Sequence, residues 1–381
     1  MTEARKRSVL ATMVFIGSIL GAGVFGLPYA FAKSGWLIGF FDLVVIGVFV
    51  LLLQLMYAEI TIQTPGRRRM TGLAGLYLGS SWRYVTTFLF FGLGWGVLTA
   101  YVILAGGFLT DLLQPLFGGD LFVYGLVFLG IEGLLLCASL KRAAHFELLV
   151  GSVLLILFVV LLLSGLPFLQ SAYLGTVALE HAFSPYGVIL FSIAGLGVMP
   201  EMHDVFGEKY EYRMSKSVIH GFLILLLLYT LFTFVVVGVT GPLTTEDALT
   251  GYTPLLGPGM EAFGAFVGVL TIGSIFMMMG EQMKDTFIFD FSLSKRTAWV
   301  LTLLVPVVLF VVGVRDFISV ISFTGSVFVA LLACIVLLIY HRMQKGVCRS
   351  TRCFTVPRWI SVCIGLLFLF GALREIINLF L

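Results

Sequence analysis

Residues 17–29 read Gly-Ser-Ile-Leu-Gly-Ala-Gly-Val-Phe-Gly-Leu-Pro-Tyr, and they lie inside an apolar run that is long enough to cross a membrane. Four glycines and a proline disfavour a continuous helix there, because in a helix interior glycine costs about 1 kcal/mol and proline about 3 kcal/mol relative to alanine. Irregular backbone at membrane depth persists only where protein or a water-filled cavity satisfies its polar groups. The stretch therefore predicts a broken helix beside a cavity.

A second stretch repeats this pattern in the other half of the chain. Residues 192–197 read Ser-Ile-Ala-Gly-Leu-Gly, which matches Ser-Ile-Leu-Gly-Ala-Gly at residues 18–23, and a proline follows each copy. The copies lie in the first and the sixth predicted spans, an odd offset of five, so they cross the membrane in opposite directions. Inverted repeats whose discontinuous helices meet at a midplane site have this signature. Close packing by small residues is the alternative, since such residues are common between transmembrane helices.

The composition places the whole chain in a membrane. Of 381 residues, 60% are hydrophobic and only 11% are charged, whereas soluble domains carry about 25% charged residues. Apolar runs of about 20 residues predict an all-α polytopic membrane protein, a single domain over residues 1–381. The eleven predicted spans are 9–32, 36–61, 83–114, 121–140, 144–169, 182–207, 217–240, 259–283, 297–314, 317–341 and 357–380. The two predicted repeats cover 9–169 and 182–341, and the last span is extra.

Lysine and arginine residues predict the orientation. If the N-terminus is in the cytoplasm, 20 of the 23 basic residues fall on the inner side. This agrees with the excess of lysine and arginine that cytoplasmic loops carry. Lys33, Arg315 and Arg374 fall outside, and the C-terminus is predicted outside as well. The net charge of +3 is therefore an orientation signal in an inner or plasma membrane, and we expect no nucleic-acid partner. The basic start lacks a signal-peptide cleavage site, so we expect the first span to stay.

The first span, from Gly17 to Ala30, resembles the amino acid/polyamine/organocation transporter superfamily, and most closely its amino acid/auxin permease and tryptophan/tyrosine permease branches. The resemblance implies the five-plus-five inverted-repeat fold first described for a bacterial leucine transporter, with helices 1 and 6 discontinuous and the eleventh helix an appendage. It also implies a secondary transporter that imports amino acids by ion-coupled alternating access. We expect a monomer in the lipid bilayer.

The same resemblance implies where the substrate binds. The amides of Gly21, Ala22 and Gly23 would face the substrate carboxylate, since a helix N-terminus carries partial positive charge. Around the second break, carbonyls near Ser192 and Gly195 would accept the ammonium group. The full predicted substrate set is Ser18, Gly21, Ala22, Gly23, Tyr101, Ser192, Gly195 and Gly197. Tyr101 is the aromatic side chain that the third span contributes in related transporters, although it is equally suited to packing.

The sequence leaves open whether sodium or the proton is the coupling ion. A sodium site like that of sodium-coupled relatives would use carbonyls of Gly17 and Leu20 with hydroxyls of Thr271 and Ser274. The absence of the fifth-span lysine that some proton-coupled relatives carry favours sodium.

Proton coupling would instead use Glu201 or His203, which follow the second break, because ionisable groups inside a membrane are functional by default. Glu132, in the middle of the fourth span, either faces protein or carries a proton. We expect no cofactor other than the ion.

Two other classes of protein are alternatives to a transporter. A membrane enzyme would need a catalytic constellation, and the five histidines are scattered without a metal-ligand or nucleophile motif. An amino-acid sensor that keeps the transporter fold without flux stays the alternative function, although the short tails offer no signalling segment. The cysteines are expected to be reduced, and the spacing of Cys348 and Cys353 fits no strong zinc pattern.

Overall fold

A computed structural model describes residues 2–66, 68–138, 144–207, 209–252, 257–346 and 354–378, and these ranges form helices and connecting turns. The helices of the first half are α1 Glu3–Ile19, α2 Gly23–Ser34, α3 Trp36–Gln63, α4 Met70–Leu78, α5 Ser80–Phe117, α6 Leu121–Cys137, α7 Ala144–Gly165 and the single turn α8 Ser171–Leu174. Those of the second half are α9 Ser184–Ile193, α10 Val198–Phe206, α11 Met214–Thr240, α12 Pro258–Phe291, α13 Lys295–Val312, α14 Phe317–Phe323, a π-helical segment Thr324–Val329, α15 Ala330–Gly346 and α16 Arg358–Asn378.

The all-helical membrane fold is confirmed. Among the described residues, eight helices are long and apolar enough to cross a membrane, and the bent pair α1 and α2 brings the number to nine. Two shorter apolar helices, at Leu121–Cys137 and Ile156–Phe168, lie where the fourth and fifth spans were predicted. The count of eleven spans, the inverted repeat and the orientation of the termini stay predictions.

The predicted boundaries were wrong at several helix ends. Helix α1 begins at Glu3, six residues before the predicted span at residue 9, and α12 continues to Phe291 instead of ending near residue 283. Hydropathy marks only the part of a helix that lies in hydrocarbon, whereas the backbone hydrogen bonds continue into polar turns. Helix α4 was missed because its nine residues are too few to span the bilayer and follow a basic loop.

Both predicted breaks are present. Helix α1 ends at Ile19 and α2 begins at Gly23, with an angle of 60° between them. Helix α9 ends at Ile193 and α10 begins at Val198, and between them Gly195 has φ +49°, a left-handed conformation that favours glycine.

The prolines do not mark these breaks. Pro28 lies inside α2. Pro200 is the third residue of α10. Its missing N–H costs little, because the N–H groups in the first turn of a helix have no intrahelical acceptor.

Glycines let the broken helices pack closely on their neighbours. A Cβ atom on Gly325, in the π-helical segment, would collide with the carbonyl oxygen of Gly187 in α9. On α5, the faces of Gly92 and Gly96 receive the side chains of Phe328 and Thr324 from the same segment. The π-helical segment is therefore fixed between α5 and α9, so that packing by small residues operates here alongside the breaks.

We expect Gly325→Ala to destabilise the protein by about 1–3 kcal/mol, because the added methyl group overpacks a backbone contact. The apparent melting temperature of the purified protein in detergent measures this effect. Gly130→Ala is the matched control, since a Cβ there meets nothing within 4 Å and alanine is the better helix former. Melting of both variants at the wild-type temperature would contradict the close contact.

Candidate functional site

A cavity of about 150 Å³ lies between the two breaks. Every residue of the predicted substrate set lines it, namely Ser18, Gly21, Ala22, Gly23, Tyr101, Ser192, Gly195 and Gly197. Tyr101 reaches it from α5, and its hydroxyl oxygen lies 3.5 Å from where a Cβ on Gly21 would be. The structure thus brings the predicted residues to one place, while their role in binding stays a prediction.

Backbone amides at the start of α2 give one wall of the cavity a positive potential. The first helical bonds of α2 run from the amides of Val24 and Phe25 to the carbonyls of Gly21 and Ala22, at 3.3 and 3.1 Å. The amides that come before them begin the helix and have no intrahelical acceptor. Such amides, together with the helix dipole, attract an anionic group such as a carboxylate.

Two residues that the sequence analysis missed hold the carbonyls of the breaks. Gln54 of α3 is fully buried, and its Nε2 donates to the carbonyls of Ile193 and Ala194, at 3.1 and 2.8 Å. Tyr229 of α11 is also fully buried, and its hydroxyl is 3.2 Å from the carbonyl oxygen of Ser192 and 3.5 Å from that of Ile19. These two side chains join both breaks to the helices behind them.

The expectation that carbonyls near Ser192 accept an ammonium group is changed by these contacts. The Ser192 carbonyl already accepts from Tyr229, and the next two carbonyls accept from Gln54. A carbonyl oxygen has two lone pairs, so each keeps capacity for a second donor. The sequence signal for Gln54 was present, because a polar side chain in the middle of an apolar span marks a functional position by default.

Apart from Glu201 and Gln282, the rest of the cavity wall is apolar. Helices α5 and α12 supply much of it, and Phe191 and Val329 add to it. Its larger apolar side chains include Leu93, Val97, Phe191, Ile275, Met278, Met279 and Val329. Methionines are unbranched and adaptable, so this wall accommodates apolar groups of different shapes.

The four predicted sodium ligands lie elsewhere. Gly17 and Leu20 are at the end of α1, Thr271 and Ser274 are buried on α12, and none of them is among the described residues that line the cavity. The Thr271 hydroxyl donates to the carbonyl of Val267, one turn back in the same helix, at 2.8 Å. That bond uses its proton and leaves its lone pairs for a cation.

The two predicted proton carriers differ in position. Glu201 lines the cavity, and its Oε1 accepts a hydrogen bond from Nε2 of Gln282 on α12, at 3.2 Å. His203 lies outside the cavity, with its Nε2 3.3 Å from Oε2 of Glu211. Of the two, Glu201 is therefore the one that a molecule in the central cavity would meet.

Glu132 faces protein. It is 5% exposed, and its Oε1 lies 2.5 Å from where a Cβ on Gly273 of α12 would be. The glycine thus makes room for a carboxyl group between two helices. Cys348 and Cys353, the residues weighed for zinc, lie outside the described residues.

A second cavity, of about 370 Å³, adjoins the first. The two share Leu93, Leu196, Gly197, Glu201, Met279 and Gln282. Arg68 and Arg69 line the second cavity, and they belong to a loop that is predicted to be cytoplasmic. The central cavity therefore leads towards the predicted inner side.

Towards the predicted outer side the broken helices are packed together. A Cβ on Gly23 would lie 2.5 Å from the Ser192 Oγ and 2.9 Å from its Cα, so α2 and α9 touch at this point. The loop after α11 is also on the predicted outer side, and its Glu246 is partly buried near Asp316 and Lys33. Burial raises the pKa of the Glu246 carboxyl group, the charge of Asp316 acts in the same direction, and Lys33 opposes both.

Comparison with known proteins identifies the family. The sequence profile of the tryptophan/tyrosine permease family matches residues 4–250. The chain belongs to this family. This permease family member is also 30% identical over 155 residues to the amino acid transporter ANT1 of Arabidopsis thaliana, a match that covers 39% of this chain and 36% of that relative. The match thus spans about a third of the relative's length.

A solved structure shows the fold of this permease family member. The crystal structure of MhsT in complex with L-phenylalanine superposes with a TM-score of 0.63 and 16% sequence identity. The match covers 96% of this chain and 97% of that chain. The leucine-transporter-like fold that the sequence resemblance implied is confirmed.

We expect Gln54→Leu to loosen the second break, because two carbonyls at membrane depth lose their donor and each unsatisfied buried group costs about 1–3 kcal/mol. Hydrogen–deuterium exchange of peptides covering residues 190–200 measures the change, and exchange should become faster there. Gln114→Leu, an exposed position near the end of α5, should leave that region unchanged. Equal exchange in wild type and Gln54→Leu would rule out the bracing role of Gln54.

Proposed function

We propose that the protein is a secondary active transporter that imports amino acids by ion-coupled alternating access. The single observation that carries this proposal is the central cavity, which lies between two broken helices and leads to the predicted inner side. Family membership supports it, as does a relative described as an amino acid transporter. A fold match whose structure holds L-phenylalanine is consistent with it.

The cavity has complementary parts for an amino acid. The amides that begin α2 attract the carboxylate, and the carbonyls at the second break together with Glu201 attract the ammonium group. The apolar wall, which includes Met278, Met279 and Phe191, suits a neutral side chain. We infer that neutral amino acids with apolar or aromatic side chains are the substrates, because an acidic side chain would meet the carboxylate of Glu201.

The difference between the two sides of the cavity supports alternating access. In the present conformation Gly23 and Ser192 close the outer side by direct packing, whereas Leu93, Met279 and Gln282 are shared with the inner cavity. We assign this conformation to the inward-facing state of the proposed cycle. Import requires a second state in which α2 and α9 separate and the shared residues close the inner side.

Uptake into liposomes tests the function. The purified protein is reconstituted, and the twenty amino acids are offered with a sodium gradient or a proton gradient imposed separately. We expect accumulation of at least one neutral apolar or aromatic amino acid under one gradient. Saturable binding without flux under either gradient would contradict transport and favour the amino-acid sensor.

For the coupling ion, we infer that Glu201 carries the proton, because it alone of the predicted ion-coupling residues lines the central cavity. We expect Glu201→Gln to reduce proton-driven accumulation at least 10-fold while exchange of external for internal substrate continues, since the amide keeps a side chain of the same shape without the titration. Thr271→Ala should leave proton-driven uptake unchanged. The opposite result would reject proton coupling in favour of the sodium site. In that case accumulation would depend on sodium, would be lost in Thr271→Ala and would persist in Glu201→Gln.

A further inference from the structure

The inner cavity is large enough to hold a small molecule. Its volume of about 370 Å³ exceeds that of the central cavity and falls within the range of about 300–1,000 Å³ that is usual for small-molecule sites. It adjoins the central cavity and shares six lining residues with it. A substrate that leaves the central cavity towards the inner side must therefore enter it.

The inner cavity carries both signs of charge. Arg68 and Arg69 line it from the loop before α4, and Glu201 and Asp204 line it from α10. A guanidinium group binds a carboxylate through two parallel hydrogen bonds. A simple anion would gain from the arginines but would be repelled by the carboxylates. A zwitterion, which offers a carboxylate and an ammonium group together, gains from both.

The remaining wall suits an apolar side chain. Tyr57, Phe90, Met70, Met279 and Leu332 line the same cavity. Tyr57 is only 1% exposed, so its ring is held by packing. The chemical character of this wall resembles that of the central cavity, which also combines charged or polar groups with aromatic and methionine side chains.

The arginines are attached to a packed element. Arg69 is the residue immediately before α4, and the following residues Met70 and Thr71 are buried. The Cβ of Arg68 lies 3.7 Å from where a Cβ on Gly72 would be, so its stem follows the first turn of the helix. The base of both side chains is therefore fixed at the rim of the cavity.

We propose that the inner cavity is a second amino-acid site, which the substrate occupies between the central cavity and release. Arg68 and Arg69 bind its carboxylate, Asp204 attracts its ammonium group, and Tyr57 and Phe90 contact its side chain. This inference rests on the proposed function, because it concerns the same substrate on the same route.

Binding stoichiometry of the purified, full-length protein tests this site. The probe is the amino acid that the wild type accumulates best, used as a radiolabelled ligand in equilibrium binding. We expect two molecules per protein for the wild type and one for the double variant Arg68→Ala with Arg69→Ala. The double variant Lys295→Ala with Arg296→Ala is the control, since it removes two exposed charges from the same predicted side without touching either cavity, and it should keep two.

The outcomes separate the inference from the function. One molecule per wild-type protein, or two in the Arg68 and Arg69 variant, overturns the second site while transport stands. No binding and no flux in the wild type overturns the proposed function itself. The single variant Arg69→Gln guards against misfolding, since we expect it to melt as the wild type does and to weaken the second binding event at least 10-fold. Loss of both binding events at an unchanged melting temperature would also overturn the inference.

Discussion

The structure depends on how backbone polar groups are satisfied where two helices break inside the membrane. An unpaired amide or carbonyl in hydrocarbon costs several kcal/mol, so a break survives only with partners. The carbonyls of the second break have partners, because Gln54 and Tyr229 donate to three of them. The residues that carry the first amides of α2 line the cavity instead. The protein thus satisfies the acceptors of the second break internally and leaves the donors of the first break without intrahelical acceptors.

A second constraint is the close approach of the helices that carry the breaks. Gly23 lies against Ser192, and Gly325 lies against Gly187. These contacts bring α9 against α2 and against the π-helical segment without large side chains. The inner cavity is lined by larger and charged groups such as Glu201 and Arg69. The two regions therefore differ in the chemistry of their side chains.

The sequence predicted the helical membrane fold and both breaks, because apolar length and glycine placement are local properties of the chain. The residues that meet at the central cavity were also predicted, because the first span resembles that of a transporter superfamily. It did not predict Gln54 or Tyr229, because their contacts join residues more than 35 positions apart and depend on how each helix is rotated. Helix α4 and the end of α12 were missed for a related reason, since hydropathy does not report helices in polar surroundings.

The proposed amino-acid site requires the two breaks to touch each other. Equilibrium binding of the best-transported amino acid to Gly23→Ala and Gly17→Ala tests it most directly, because both variants keep their backbone amides and differ in what the new methyl group meets. A Cβ on Gly23 would meet Ser192, whereas one on Gly17 meets nothing within 4 Å. We expect Gly23→Ala to lose at least 10-fold in affinity and Gly17→Ala to bind as the wild type does. Equal affinity in the two variants would contradict it.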